Sequence, residues 1–467
     1  MMRMTAPNIL FLMTDQMQGR VLEPDNPCQT PNLDRLAARG VRFRRANTPN
    51  AVCSPARASL MTGLLPHNHG VLFVEHTVDD DQAVLRSQHL HWAQRLTEAG
   101  YTTGYFGKWH VERSNELARF GWQQQAALSG QTDWSAANFS LERFLESPPG
   151  YEPNRFYGVC DLPASQRGMG KKTDAALTFL DAALAESSPW CCFVSFTEPH
   201  DPFYCHEEAF ARYDVEAIPL PPNLHNELSG QPNLYKRCAR VWSDWTEREH
   251  REAAACYYAS ISEIDQQFGR LLERVEGAGQ LENTIVVLTS DHGDFLGAHG
   301  LYCKNIGAFE EAYNIPLVVA GPGVATSAVS DARVGLQDVG QTLLELAGGQ
   351  PLENIDGRSF APVLADPHDT SDYQLGFAEY FGGRYIISQR LLWNGDWKLV
   401  HNGFDYDELY NLADDPYEMN NLAQEPAFAE QMQAMTRQMW QIVVNSGDHS
   451  LYNTHYPSMR IAAAGPG

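Results

Sequence analysis

Cys53-Ser54-Pro55-Ala56-Arg57, followed by Leu60, Thr62 and Gly63, puts a nucleophile, a turn-forming proline and a fixed cation into one short segment. Pro55 disfavours helix at Ser54, so the spacing predicts an extended or turning approach and then a short helix. That helix begins near Ala56 and is closed by Gly63. Cys53 then lies at a helix N-terminus, where unpaired backbone N–H groups and the helix dipole favour an anion. Arg57, one turn further on, adds a positive charge. An isolated cysteine is ordinarily a small buried hydrophobe; this one has a nucleophile's surroundings.

A second constellation consists of oxygen and nitrogen donors. Asp15-Gln16 and Asp291-His292 each follow a strand-like apolar run, Ile9–Thr14 and Thr284–Ser290. Adjacent ligands at a sharp turn can grip one ion. Two carboxylates and an amide oxygen favour a hard divalent cation, Ca2+ first, while the imidazole tilts the choice toward Mn2+. Each residue also has a plainer reading: Asp15 as a helix cap, His292 as a hydrogen-bonded structural residue.

Together these segments resemble the type I, formylglycine-dependent sulfatases of the alkaline phosphatase superfamily. The Cys53–Gly63 pattern is similar to their signature, and Pro7–Gln16 resembles their first strand and metal-binding turn. Gly107-Lys108-Trp109-His110, Pro199-His200-Asp201-Pro202, Ser290-Asp291-His292-Gly293 and Lys304 follow in the family's order. The resemblance implies that a formylglycine-generating enzyme oxidises Cys53 to formylglycine, which joins Asp15, Gln16, Asp291 and His292 around the metal. A thiolate would leave a thiosulfate with no easy hydrolytic exit; an aldehyde avoids this. One hydroxyl of the hydrated aldehyde would attack sulfur and displace the alcohol, and the other would then expel sulfate. In that scheme Arg57 holds the diol, and Lys108 and Lys304 clamp the sulfate oxygens. His200 protonates the leaving oxygen and His110 acts as base, the two roles being interchangeable. His67, His69 and His299 are further substrate-pocket candidates. Most sulfatases carry two aspartates first and an Asp-Asn pair later; Gln16 and His292 depart from that and are similar to phosphonate monoester hydrolases and choline sulfatases.

The implied activity is hydrolysis of a sulfate monoester. The alternative within the superfamily is a phosphonate monoester or phosphodiester hydrolase, toward which Gln16 and His292 point. Lys108 and His110 point back to a sulfatase pocket. A remote alternative is a non-catalytic binding protein in which Cys53 is never converted. Val194–Pro202 is also similar to choline sulfatases, so aryl, carbohydrate and choline esters all stay open.

Bulk properties bound these readings. With 467 residues, the chain is long for one core and suggests a large domain with a smaller companion. A formal net charge of -24 excludes a nucleic-acid partner, which needs a basic footprint. It would also repel a sulfate ester globally, so Arg57, Lys108 and Lys304 must dominate locally, as screening permits. The 9 cysteines, irregularly spaced and with no C-x-x-C pair, fit a reducing compartment. Ile9–Met13 is too short for a secretory h-region, and no apolar stretch has the length of a transmembrane helix. The expected localisation is cytoplasmic, without membrane partners.

The site needs elements to position it. Apolar runs alternating with helical patterns predict an α/β fold: a large mixed, mostly parallel sheet sandwiched by helices. Strands are expected at Ile9–Thr14, Tyr101–Phe106, Cys191–Phe196, Thr284–Ser290 and Pro316–Ala320. Helices are expected from Pro31, capped by Thr30, to Gly40, and over Leu90–Ala99, Lys172–Ala185 and Arg248–Glu276. Asp15-Gln16, His200 and Asp291-His292 would thus meet along the carboxyl edge of the sheet. After about residue 370, Leu375–Tyr380, Tyr385–Leu392 and Trp397–Asn402, with a turn at Asn394-Gly395, predict a small antiparallel sheet. A helix over Ala427–Val444 follows. The expected domains are therefore 1–370 and 371–467. Tyr406–Leu422 resembles the C-terminal subdomain of sulfatases. Tyr452–Gly467 reads as an arm for a neighbouring subunit in a homo-oligomer, or as a loose tail. Residues 112–165 and 204–245 carry no readable specificity code.

Overall fold

Continuous apolar runs such as Ile9–Met13 suit strands buried on both faces, and the computed structural model places them there. It describes residues 6–452 and 462–465, apart from 75, 78–84, 87–88, 115, 127–131, 147–148, 151, 305 and 384–386. The central sheet has 8 strands in the spatial order Ala328–Gly335, Gly40–Asn47, Leu317–Ala320, Thr284–Ser290, Asn8–Asp15, Trp190–Pro199, Thr102–Gly107, Gln124–Ala126. Leu317–Ala320 runs antiparallel to both neighbours, and every other pairing is parallel. Alternate residues of the first strand enter two separate cores. Leu10 and Leu12 pack toward helices Glu247–Gly277 and Gly168–Ala183, whereas Ile9, Phe11 and Met13 pack toward Cys53–Thr62, Trp92–Glu98 and Val339–Ala347. On the second face Phe11 stacks on Phe193 at 4.3 Å and Phe193 on Tyr105 at 4.7 Å. The expected sandwich is the one the chain forms.

Some local expectations shift. The active-segment helix spans Cys53–Thr62, so it starts three residues before Ala56. Pro55 falls in the first turn, where backbone N–H groups have no intrahelical acceptor and a missing one costs nothing. Gly63 does close it, in the left-handed region at φ 73. Helix Pro31–Ala38 follows Thr30, but no Thr30 side-chain cap forms. Its first N–H groups are instead met by Asp265 of the long helix, which accepts from Leu33 N at 2.8 Å and Asn32 N at 3.0 Å.

A separate four-stranded antiparallel sheet, Leu375–Tyr380, Gln389–Asn394, Trp397–Asn402 and Glu408–Asn411, packs under helix Ala429–Ser446. The expected strand Tyr385–Leu392 is displaced to Gln389–Asn394, and residues 385–386 lie outside the described residues. Phe139–Leu145, Asn154–Cys160 and Phe203–His206 form a third sheet inside the segments without a readable code. Of the terminal arm, residues 453–461 and 466–467 lie outside the described residues; the Ala464 carbonyl accepts from Trp440 Nε1 of the same chain at 2.7 Å. Among the described residues no helix is long and apolar enough to cross a membrane.

His67, just past helix Cys53–Thr62, ties that part of the chain to the small sheet. Its Nδ1 lies 2.7 Å from Glu379 Oε1, and its Nε2 3.0 Å from the Ser446 carbonyl. Burial opposes charging this imidazole, but the hydrogen bond and charge of Glu379 prevail and push it up to about 9. A histidine raised by folding stabilises the fold fully below its unfolded value and loses that contribution as pH rises through the folded one. Urea unfolding should therefore show a contribution on the order of 3 kcal/mol at pH 6 that fades by pH 9.5. His67→Gln should flatten that part of the profile; an unchanged slope would refute the assignment.

Candidate active site

Four adjacent parallel strands deliver the chemistry. Asp15 ends Asn8–Asp15, Asp291 follows Thr284–Ser290, His200 follows Trp190–Pro199, and Lys108 follows Thr102–Gly107. Gly107 makes the last turn possible: at φ +114, an added Cβ would meet the Ser195 carbonyl oxygen at 1.9 Å. That carbonyl accepts the Lys108 N–H at 2.9 Å. Gln16 adopts φ 72, a region that non-glycine residues rarely occupy, and so turns the chain beside Asp15.

Helix Cys53–Thr62 brings its first residue against these ends. Cys53 Sγ lies 3.2 Å from His292 Nε2 and 3.7 Å from Asp15 Oδ1. Arg57, buried at 1% exposure, donates from Nε to Asp291 Oδ2 at 2.7 Å and from NH2 to Asp15 Oδ2 at 3.2 Å. Its NH1 donates to the Lys108 carbonyl at 2.9 Å and to Ser195 Oγ at 2.8 Å. Lys108 Nζ also pairs with Asp15. Asp15, Cys53, Asp291 and His292 each offer a ligand atom, all within 4.8 Å of one another and all buried. Two carboxylates, an imidazole and a fourth group suit a divalent cation.

Electrostatics follow the packing. Burial and Cys53 press Asp15 upward, yet Lys108, His200 and Arg57 hold it well below the carboxylate range. Burial and neighbouring Asp15 push Asp291 up against the pull of Arg57. Burial alone would raise the Cys53 thiol, but Lys108, Lys304 and His292 hold it well below its ordinary value. Burial and Lys108 push His110 down to about 4, whereas Asp201 and Asp15 raise His200 against burial and Lys304.

Lys108, His110, His200 and Lys304 line the same cavity as Cys53, so the structure brings the expected catalytic residues together. Gln16 takes a different posture from a simple ligand. Its Oε1 accepts from Lys304 Nζ, and its Nε2 donates to Asp201 Oδ1 at 3.0 Å and to Asp294 Oδ2. His67, His69 and His299 do not belong to the cavity lining. His67 is bound to Glu379; His69 Nε2 lies 3.0 Å from Ser59 Oγ; His299 stacks on Phe309 at 3.6 Å between Asn223 and Asn226. All three are structural because every ring nitrogen that matters is already engaged. Sequence reasoning missed Ser195, Asp201, Asp294 and Lys172. Asp201 and Asp294 lay inside or beside quoted motifs, next to His200 and three residues past Asp291, and could have been found there. Ser195 lies inside the quoted Val194–Pro202 segment and could have been found there too, whereas Lys172 carries no local signal.

Comparison with known proteins gives the family. Residues 7–349 match the family model described as Sulfatase, and residues 297–445 match the C-terminal model of N-sulphoglucosamine sulphohydrolase. A choline-sulfatase of Rhizobium meliloti is 31% identical over 455 residues, covering 90% of this chain and 83% of that protein. The multifunctional alkaline phosphatase superfamily protein PehA of Trinickia caryophylli is 29% identical, covering 97% of this chain and 98% of its own. The phosphonate monoester hydrolase structure of Agrobacterium radiobacter superposes with a TM-score of 0.79 at 23% identity, covering 94% and 96% of the two chains. With most of its length matched and every motif gathered at one sheet edge, the chain belongs to the sulfatase family.

Proposed function

We propose that the protein hydrolyses a sulfate monoester to an alcohol and inorganic sulfate, with Cys53 converted to formylglycine beside one divalent cation, Ca2+ before Mn2+. The observation that carries this reading is a cysteine at a helix start, against a buried two-carboxylate donor set, in a cavity lined by Lys108, His110, His200 and Lys304. Asp15, Asp291, His292 and Gln16 would hold the cation, which supplies Lewis acidity, while hydrated formylglycine supplies an oxygen nucleophile. Lys108 and Lys304 bind the sulfate oxygens where charge is spread in the transition state. Arg57 neutralises the two carboxylates and fixes the first turn of the Cys53 helix. His200, beside Lys304, gives a proton to the leaving oxygen, and His110, beside Lys108, accepts one.

The wider reading follows from this. Maturation needs a formylglycine-generating enzyme as partner. Residues 1–370 would carry the site, with 371–467 as the smaller domain. We assign the protein to the cytoplasm, supported by 9 cysteines with no disulfide among the described residues, which include them all. A second reading, phosphonate monoester hydrolase, is supported by the Gln16–His292 pair and by the fold shared with that enzyme class.

Mass spectrometry of native protein should find the Cys53 peptide lacking its sulfur, and converted protein should cleave an aryl sulfate faster than an aryl phosphonate. Phosphonate winning by a wide margin would reverse the ranking, and an intact cysteine without activity would favour a binding protein. His200→Ala should lower kcat by about 10²–10⁴ on an alkyl sulfate but much less on 4-nitrophenyl sulfate, whose leaving group needs no proton. Equal losses on both would remove the general-acid role. Chelation should abolish turnover, with Ca2+ or Mn2+ restoring it.

A further inference from the structure

Gln16 is tied to a residue to which the proposed reaction gives no task. Asp294, three residues past Asp291, is fully buried and lies outside the cavity lining. Its Oδ2 accepts from Gln16 Nε2, which also donates to Asp201 Oδ1 at 3.0 Å. A primary amide has two donors on its nitrogen and acceptor sites on its oxygen alone. With both N–H groups held by carboxylates, the oxygen has to face the other way, where it accepts from Lys304 Nζ. A flipped amide would set its oxygen against two carboxylates and its NH2 against an ammonium. Asp294 and Asp201 therefore decide which end of Gln16 is left to accept, and only the oxygen end can ligate a hard cation.

The other oxygen of Asp294 does a second job. Oδ1 accepts the N–H of Leu296 at 2.7 Å and that of Cys303 at 3.1 Å, and Phe295 N donates to the Cys303 carbonyl at 3.0 Å. These bonds close the neck of a loop that ends on Lys304. The loop needs closing, because Leu296 (φ 46), His299 (φ 54) and Cys303 (φ 63) all sit in the left-handed region that side chains disfavour. One carboxylate thus fixes the Gln16 amide and the backbone just before the lysine that meets it. The same geometry accounts for an amide at position 16. A carboxylate there would be a third like charge beside Asp201 and Asp294, whereas an amide offers each of them a donor. On the reading of Gln16 as a ligand of the divalent cation, we propose that Asp294 is a positioning residue that holds the Gln16 oxygen free to accept and keeps Lys304 beside it. Groups one step behind a metal ligand orient it in this way.

The test titrates protein with Cys53 converted against Ca2+ and against Mn2+ by calorimetry, for wild type, Asp294→Asn, Gln16→Glu and the double variant. Asp294→Asn keeps an oxygen for the Leu296 and Cys303 N–H groups but turns an NH2 toward the Gln16 amide, so it cuts the tie without opening the neck. It should weaken ion binding by roughly 10- to 100-fold and lower kcat/KM on 4-nitrophenyl sulfate in step, with the melting temperature close to that of wild type. In the Gln16→Glu background the same substitution supplies a donor to a carboxylate that lacks one. There Asp294→Asn should tighten ion binding, by about 10-fold. A purely structural Asp294 would lower binding in both backgrounds, and that result would overturn the proposal. So would unchanged binding in Asp294→Asn, or a variant that fails to fold, which would show the neck to be all that Asp294 supports. Wild type that binds neither ion would instead sink the cation reading beneath it.

Discussion

Asp15 and Asp291 are both fully buried and share one corner of the sheet edge. Like charges in such a place cannot both remain ionised without compensation, and desolvation adds to the cost. Arg57 supplies the first compensation, reaching both carboxylates from one guanidinium. A planar fork with five donors reaches both carboxylates, a carbonyl and a hydroxyl at once; a lysine, with three donors radiating from one point, would leave part of that set unpaired. The same side chain bonds the Lys108 carbonyl and Ser195, so it also locks the ends of two further strands. The helix that starts at Cys53 is thereby fixed to the sheet by its own fifth residue.

This arrangement explains which parts of the site were legible in the sequence. Asp15, Asp291 and His200 each lie just past an expected strand, so the expectation of a strand located the functional residue as well, whereas Lys108 was found through the family resemblance. The parallel order of those strands then made their ends coincide. Cys53 was legible through its neighbours, although its helix begins earlier than Pro55 suggested. The rule against helix before proline acts on a helix interior, and the first turn escapes it.

What escaped the sequence did so for physical reasons. Gly40–Asn47 and Ala328–Gly335 belong to the central sheet but carry Arg42, Arg44, Arg45, Asp331 and Arg333, which break any apolar run. Arg44 and Asp331 pair across the adjacent strands at 2.6 Å, so the charges that hide the pattern also join the two strands. Phe139–Leu145 alternates half-buried and exposed residues along one edge of its sheet, which leaves a weak signal. The contact between Trp134 and Tyr204 spans two segments that sequence periodicity treats as unrelated. Cavity walls made this way are legible only once the chain has folded.

The acidity of the whole chain and the anion chemistry of its cavity are reconciled by where the charges sit. Most acidic side chains are on the surface, where salt screens a charge within about 8 Å at physiological ionic strength. Arg39–Glu282, Arg44–Asp331 and Arg274–Asp181 are such exposed pairs, partly neutralised locally. Lys304 and Arg57 are buried, with Lys108 nearly so, and water screens their fields far less. Asp15 and Asp291, which pair with Lys108 and Arg57, are fully buried at the ends of the strands and do not line the cavity, whereas Asp201 shares its wall. An anion entering the cavity therefore meets the ammonium groups of Lys108 and Lys304 before the carboxylates of Asp15 and Asp291. The depth order of charges, and not their sum, sets what the site accepts.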